Sequence, residues 1–324
     1  MSLEDYKPFA IGTEGKPWGD AERAQWHASP FCAKKRDYFA DVVSRLHRVD
    51  GAAVEVFQYG ELDYRKPFGA ARYPLFAAKS AQWDRTRPLA VVTGGVHGYE
   101  TSGVHGALLF IERELPRLAA HCNILVLPCV SPWGYETINR WNPETVDPNR
   151  SFTHTAPGCG EAANAMACIM KYVQLSSSVL MHTDLHETTD TDNLEFRPAK
   201  AARDGLPLPP FDPIPDGFYL VANAKTPELG FQDAINAAVA KVTHIAPGDG
   251  DAKTILGQPQ ASPGVILISV PGLCGQHTAA KYSTTTEVYP DSKAVPSAEV
   301  CNEAQVAVVV AGLTFALTAE GLLK

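Results

Sequence analysis

Histidine, glutamate and arginine recur in this 324-residue chain at a few places where short apolar runs stop. The first is Gly94-Gly95-Val96-His97-Gly98-Tyr99-Glu100, reached from the run Leu89-Ala90-Val91-Val92. An unbroken, β-branched run of that length suits a buried strand, and two glycines after it allow a tight turn. His97 and Glu100 are then expected in the first turn of a helix, where positions i and i+3 share a face. An imidazole and a carboxylate held together in this way can grip one metal ion, although a lone four-residue match is common by chance. His186 stands at the end of a second strand-like segment, in Asp184-Leu185-His186, and Glu287 at the end of a third, in Thr284-Thr285-Thr286-Glu287. Two histidines and one glutamate make a three-ligand zinc site that leaves a fourth position open. Arg140, Asn149 and Arg150 form a further polar cluster on loops.

The elements that must carry these residues follow from periodicity. Strands are predicted over residues 53–59, 71–77, 89–92, 123–127, 178–184, 218–221, 264–270 and 281–288. Phe39, Val42, Val43 and Leu46 mark an amphipathic helix over 33–48. Further helices are predicted at 104–118, 160–174, 227–242 and the C-terminal end, the last behind a Ser297 cap. Residues 131–134 and 147–150 read as loops, and 190–217 and 246–264 as long Pro/Gly-rich loops. Within the former, Asp190, Asp192, Glu195 and Arg197 read as a solvated loop, with a substrate-selecting role as the alternative. Strands alternating with helices imply an α/β fold: one domain with a mixed, mainly parallel twisted sheet covered by helices on both faces. The expected organisation is an extended N-terminal arm over residues 1–30 and a catalytic domain over 31–324. Ligand sites in such sheets lie at the carboxyl ends of strands, where His97, Glu100, His186 and Glu287 fall.

A net charge of −8 argues against nucleic acid or an anionic membrane as partner. Seven scattered cysteines, odd in number and without a CxxC pair, suggest reduced thiols. The first residues lack the basic and apolar segments of a signal peptide. The longest apolar stretch, Val306–Leu317, is 12 residues against the roughly 20 of a membrane span. Together these point to a cytoplasmic protein. No G-x-S-x-G elbow is present, and no cysteine sits in a recognisable catalytic setting.

The order HxxE, then Arg, then DxNR, then a His at a strand end, then a late Glu, resembles the zinc carboxypeptidases, the funnelin-type metallopeptidase family. That family also contains the aspartoacylase and succinylglutamate desuccinylase branch. The residues carrying the resemblance are His97-Gly98-Tyr99-Glu100, Arg140, Asp147-Pro148-Asn149-Arg150, Asp184-Leu185-His186 and Thr286-Glu287, over roughly residues 35–320. It implies one zinc ion per chain, held by His97, Glu100 and His186. It implies that Glu287 is the general base toward the zinc-bound water, and that Arg140 polarises the scissile carbonyl and, with zinc, stabilises the oxyanion. Asn149 and Arg150 would hold the substrate's terminal carboxylate, and Asp147 would orient the His97 ring.

Two activities remain open under the resemblance. A carboxypeptidase removes a C-terminal residue from a peptide, and a deacylase of the second branch cleaves an N-acyl amino acid. Both substrates carry a free carboxylate beside the amide bond. The 37 residues after Glu287 read as a single helix rather than a β-rich domain, which favours the peptidase. The compact spacing from Glu100 to His186 is closer to the deacylases. No tyrosine lies between Tyr219 and Tyr282, so the substrate-capping tyrosine of carboxypeptidases is missing or its role passes to Tyr282 or Tyr289. A binding protein that kept the fold without activity is a third reading.

Overall fold

The computed structural model describes residues 3–66, 68–153, 158–251, 253–295 and 297–323. Its strands are β1 (Val54–Asp63), β2 (Arg72–Ser80), β3 (Leu89–Gly94), β4 (Asn123–Leu127), β5 (Val179–Glu187), β6 (Tyr219–Asn223), β7 (Gln260–Ser262), β8 (Val265–Ile268) and β9 (Tyr282–Val288). Its helices are α1 (Asp20–His27), α2 (Ser44–Val49), α3 (Thr101–Arg113), α4 (Leu115–Leu118), α5 (Pro132–Thr137), α6 (Gly160–Val173), α7 (Arg197–Asp204), α8 (Leu229–Val239) and α9 (Ala298–Ala319). The strands form one mixed sheet in the order β1-β2-β4-β3-β5-β9-β6-β8-β7. Its centre, β4-β3-β5-β9, is parallel, and β1-β2 flank it antiparallel on one side. On the other side β6 runs antiparallel to β9.

The continuous apolar run of β3 is explained by burial on both faces. Ala90 and Val92 join Val104 and Leu108 of α3 and Val308 and Leu313 of α9 in one core. Leu89 and Val91 point the opposite way, into a second core with Ala162, Ala165 and Ile169 of α6. Each fully buried aliphatic side chain of this kind contributes about 1.5–3 kcal/mol. The three central parallel strands β3, β5 and β9 therefore cannot slip without exposing one core, which fixes what their carboxyl ends present.

Several expectations are corrected. The arm is not uniformly extended: α1 lies within it and buries Trp26 against Trp18, Trp133 and Trp141. The helix expected over 33–48 begins late, because Asp37 accepts hydrogen bonds from Phe39 N and Ala40 N and sets its start; Phe39–Val43 is a π-turn leading into α2. Residues 131–134, read as a loop, fall at the start of α5, and 197–204, read within a proline-rich loop, are α7. Pro132 and Pro198 fall in the first helical turn, where proline is tolerated. The short edge strand β7 lies in the second predicted long loop. The apolar stretch read as 12 residues is part of α9, whose 22 residues are, by length and composition, apolar enough to cross a membrane. Gly312, which seemed to break it, lets Phe231 of α8 approach within 3.0 Å of where a Cβ would stand. Much of α9 is buried in the first core against α3 and α8.

Candidate metal centre and active site

Three adjacent parallel strands deliver the reactive groups side by side. His97 and Glu100 follow the end of β3, His186 is the penultimate residue of β5, and Glu287 is the penultimate residue of β9. His186 and Glu287 are register partners across β5 and β9. Neighbouring strands lie about 4.8 Å apart, so the sheet spacing itself sets the pitch of the site.

His97 and Glu100 do not share a helical face, as the sequence had suggested. The helix starts at Thr101, and the two residues sit in the turn before it, closed by Glu100 N donating to His97 O at 3.3 Å. The cause is a buried carboxylate from the next strand: Glu187 accepts from Thr101 N at 3.0 Å and Ser102 N at 2.8 Å and occupies the helix N-terminus. Burial raises the Glu187 pKa to about 7. Gly98 is required between the two ligands, since a Cβ there would overlap the Gly134–Tyr135 backbone.

One side-chain nitrogen or oxygen from each of His97, Glu100 and His186 lies within 4.8 Å of the others, and all three residues are buried. His97 Nδ1 is 2.7 Å from Glu100 Oε1, and His186 Nδ1 is 2.6 Å from Glu100 Oε2. Yet Glu100 Oε2 has no well-directed hydrogen bond despite its burial. A buried carboxylate oxygen close to an imidazole nitrogen but not aligned with it is what two ligand atoms facing a common point look like. The far nitrogens carry the complementary signal. His97 Nε2 is 2.9 Å from Asp147 Oδ1, and His186 Nε2 is 2.8 Å from Asp184 Oδ2. Each carboxylate holds the hydrogen on Nε2 and leaves the Nδ1 lone pair free for a metal. The donor set therefore fits a divalent metal such as zinc. Burial would raise the Glu100 pKa, but His186 and His97 outweigh it and hold the carboxyl below its usual range. For Asp147, Arg140 and His97 do the same against burial.

Asp147 also accepts from Arg140 Nε at 3.1 Å through its second oxygen. Arg140 Nη1 reaches Tyr99 Oη at 3.4 Å and lies 3.6 Å from Asp192, to which Tyr99 donates at 2.9 Å. Arg140 Nη2 makes no hydrogen bond among the described residues, and Arg140 lines the cavity. Asn149 Oδ1 accepts from Cys274 N at 2.8 Å. Asn149 Nδ2 lies 3.3 Å from His186 Nε2, which cannot accept while its hydrogen points at Asp184, so the amide N–H groups remain available. Arg150 is bonded only to Asn149 O, at 2.8 Å, and has no carboxylate partner among the described residues. It is exposed, but into the cleft, whose walls lower its pKa by desolvation. Glu287 Oε2 accepts from Thr188 Oγ1 at 2.7 Å, and that hydroxyl is 2.8 Å from Tyr219 Oη. Burial first, and then the nearby Glu100 carboxylate, raises the Glu287 pKa to about 8.

Seven of the eight predicted site residues, Asp147 included, thus line one cavity of about 970 Å³, and the eighth, His186, joins them through its cluster with His97 and Glu100. Sequence reasoning missed Thr188, Tyr219 and Tyr99, and it read Asp192 as part of a solvated loop, whereas Asp192 is buried and accepts from Tyr99 Oη. Asp184 was seen within its motif but without its hydrogen bond to His186. A deeper chain also escaped it: Asp184 accepts from Thr93 Oγ1 at 2.6 Å, and Thr93 contacts the buried His182 at 3.2 Å. Burial lowers the His182 pKa to about 4, so that ring is neutral. Neither Tyr282 nor Tyr289 lines the cavity; they bond Glu320 at 2.9 Å and Asp190 at 2.8 Å. The tyrosine beside Glu287 is Tyr219, its register partner on β6.

Known structures share this architecture. A candidate metallopeptidase from Shewanella amazonensis is 18% identical, with a TM-score of 0.60 over 86% of this chain and 91% of its own. Bovine thrombin-activatable fibrinolysis inhibitor, solved with a tick carboxypeptidase inhibitor, gives 13% identity and a TM-score of 0.58 over 90% of this chain and 100% of its own. A metallo-carboxypeptidase from Pseudomonas aeruginosa, solved with (2-guanidinoethylmercapto)succinic acid, gives 14% and 0.52 over 94% of this chain and 70% of its own. The fold is that of the metallo-carboxypeptidases. One family model, described as a protein of unknown function (DUF2817), matches residues 77–207, which carry every site residue named above except Tyr219, Cys274 and Glu287. No curated protein sequence matches the chain.

Proposed function

We propose that this protein is a zinc-dependent metallocarboxypeptidase that removes the C-terminal residue of peptides. The observation that carries the reading is the meeting, at one cavity, of a His-Glu-His cluster able to hold a metal, the half-buried Glu287 carboxylate and an arginine without a carboxylate partner among the described residues. Zinc bound at His97, Glu100 and His186 would supply Lewis acidity and a water of lowered pKa.

The chain's own groups do the rest. Arg150, with Asn149 beside it, grips the terminal carboxylate and fixes which amide bond is presented. Arg140, held in place by Asp147, directs Nη2 at the carbonyl oxygen as charge develops there. Glu287, anchored by Thr188, accepts a proton from water and returns it to the leaving amine. The loop at Leu273 packs on the clamp, with Phe152 N donating to Gly272 O and Cys274 N to Asn149 Oδ1. Leu273, Val270 and Ile268 therefore offer an apolar wall beside Arg150 for the terminal side chain. A cavity of about 970 Å³ is at the upper end for a small-ligand pocket and favours a peptide over an N-acyl amino acid.

The test is a side-by-side assay of zinc-loaded protein on C-terminal peptide libraries and N-acyl amino acids. Release of free C-terminal amino acids is expected, abolished in Glu287→Gln with zinc still bound. Arg150→Ala should raise KM for free-carboxylate peptides far more than for amidated ones. Preferential hydrolysis of N-acyl amino acids would transfer the chain to the deacylase reading, and undiminished turnover by Glu287→Gln would remove the assigned base.

A further inference from the structure

Another wall of the same cavity has a chemistry that the hydrolytic site does not use. It is built by α7 and α1 and carries Arg197, Lys200, Arg203 and Arg23. Four cations on one wall stand out in a chain of net charge −8. Two share a single carboxylate: Lys200 Nζ is 2.8 Å from Asp204 Oδ2, and Arg203 Nε is 2.8 Å from Asp204 Oδ1. The other two bond only neutral groups. Arg197 Nη1 donates to Asn193 Oδ1 at 2.7 Å and Asp212 O at 2.9 Å. Arg23 Nη1 donates to Glu144 O at 2.9 Å and to the Thr145 hydroxyl. Neither has a carboxylate partner among the described residues. The guanidiniums are also held in position. Arg203 lies over the Trp141 ring at 4.4 Å and donates to Thr145 O at 2.6 Å. Arg197 is fixed by its two acceptors. Positioned guanidiniums facing a cavity with surplus charge are the elements of an anion subsite.

The reach of this wall from Asp192 follows from the chain. The π-turn at Asp192–Phe196 runs directly into α7, and Asp192 is tied to the site through Tyr99 and Arg140. At about 1.5 Å per residue, Arg197 and Lys200 lie roughly 8–12 Å along the helix from Asp192. An extended peptide covers that distance in about two to four residues.

We propose that the α7–α1 wall is a second anion subsite, which makes peptides with an acidic side chain two to four residues upstream of the scissile bond the preferred substrates. This rests on the carboxypeptidase reading and adds to the terminal-carboxylate clamp at Arg150 a separate requirement for charge on the other side of the cleaved bond.

The experiment uses zinc-loaded full-length protein and blocked peptides with a common C-terminal residue, differing only as Glu against Gln at the third and fourth positions upstream of the scissile bond. At low ionic strength the Glu peptides should show kcat/KM about tenfold higher, through KM, and the advantage should shrink in about 0.5 M sodium chloride. Lys200→Gln, at an exposed position, and Arg197→Gln should each reduce the ratio, and the double variant should bring it near one. Equal kcat/KM for both peptides in the wild type, or an undiminished ratio in the double variant, overturns the proposal. Binding of fluorescent versions of these peptides to the Glu287→Gln protein reads the subsite without turnover. Tighter binding of the Glu peptides with no cleavage by wild type would leave the subsite standing and refute the carboxypeptidase reading. Equal binding there overturns the subsite whatever the activity.

Discussion

Glu287 owes its orientation to two side chains far from it in sequence. Thr188 lies at the end of β5, and Tyr219 faces Glu287 across the antiparallel pair β6–β9. The Tyr219–Thr188–Glu287 chain is buried, so a rotated carboxylate would leave a hydroxyl without its partner in a medium of low dielectric. Thr188→Val keeps the side-chain shape and removes the donor. A hydrogen bond to a charged group is worth about 1.5–3 kcal/mol, so kcat is expected to fall roughly 10- to 100-fold. Bound zinc and KM should stay near wild type, and Thr188→Ser should restore most of the rate. Wild-type kcat in the valine variant would mean that Glu287 is positioned by the strand alone.

At the scale of elements, α9 holds the site from behind through one polar side chain. Gln305 Nε2 donates to His186 O at 2.9 Å, and its Oε1 accepts from Thr286 Oγ1 at 2.8 Å, joining the helix to the strands that carry His186 and Glu287. Gln305→Leu removes a donor from the buried His186 O and the acceptor of the Thr286 hydroxyl, which keeps its bond from His186 N, and a stability loss of about 1–3 kcal/mol is expected in urea titrations. A loss under about 0.5 kcal/mol would mean that water or backbone movement replaces the amide. This contact also marks the limit of what the sequence shows. His97, Glu100, His186 and Glu287 were legible because each stands at or just past the end of a predicted strand, and a strand end can be read locally. Thr188 and Tyr219 were not, because their roles come from a register between positions 31 and 99 residues apart along the chain. α7 was hidden by prolines that serve as loop signals everywhere except a helix's first turn. Glu187 shifted the start of α3 past both ligands by bonding its N-terminus from another strand. Except at α7, where the proline signal itself was ambiguous, what failed was a tertiary contact overriding a local signal, while the parallel centre and its buried runs were local and were read correctly.

For the molecule as a whole, the metal site is also a fastening between the central strands. His97 and Glu100 follow β3, while His186 belongs to β5, so an ion at the three residues joins the middle of the sheet across the parallel pair β3–β5. The unfolded chain offers no such preformed set, so binding free energy adds to folding free energy. With free zinc at about 1,000 times its Kd the folded state gains about 4 kcal/mol, which for a chain of this size corresponds to a rise in Tm of roughly 5 °C. Chelation by EDTA should reverse the shift, and readdition of zinc should restore it. The control is the ligand set itself: His97→Ala and His186→Ala proteins, folded by circular dichroism, should show little or no zinc-dependent shift. A shift of equal size in the wild type and both variants would place the stabilising ion elsewhere on the surface. A shift in the wild type alone ties stability to the same three side chains that the cavity presents for catalysis. Selection for a firm sheet and for a bound metal would then act on one set of residues.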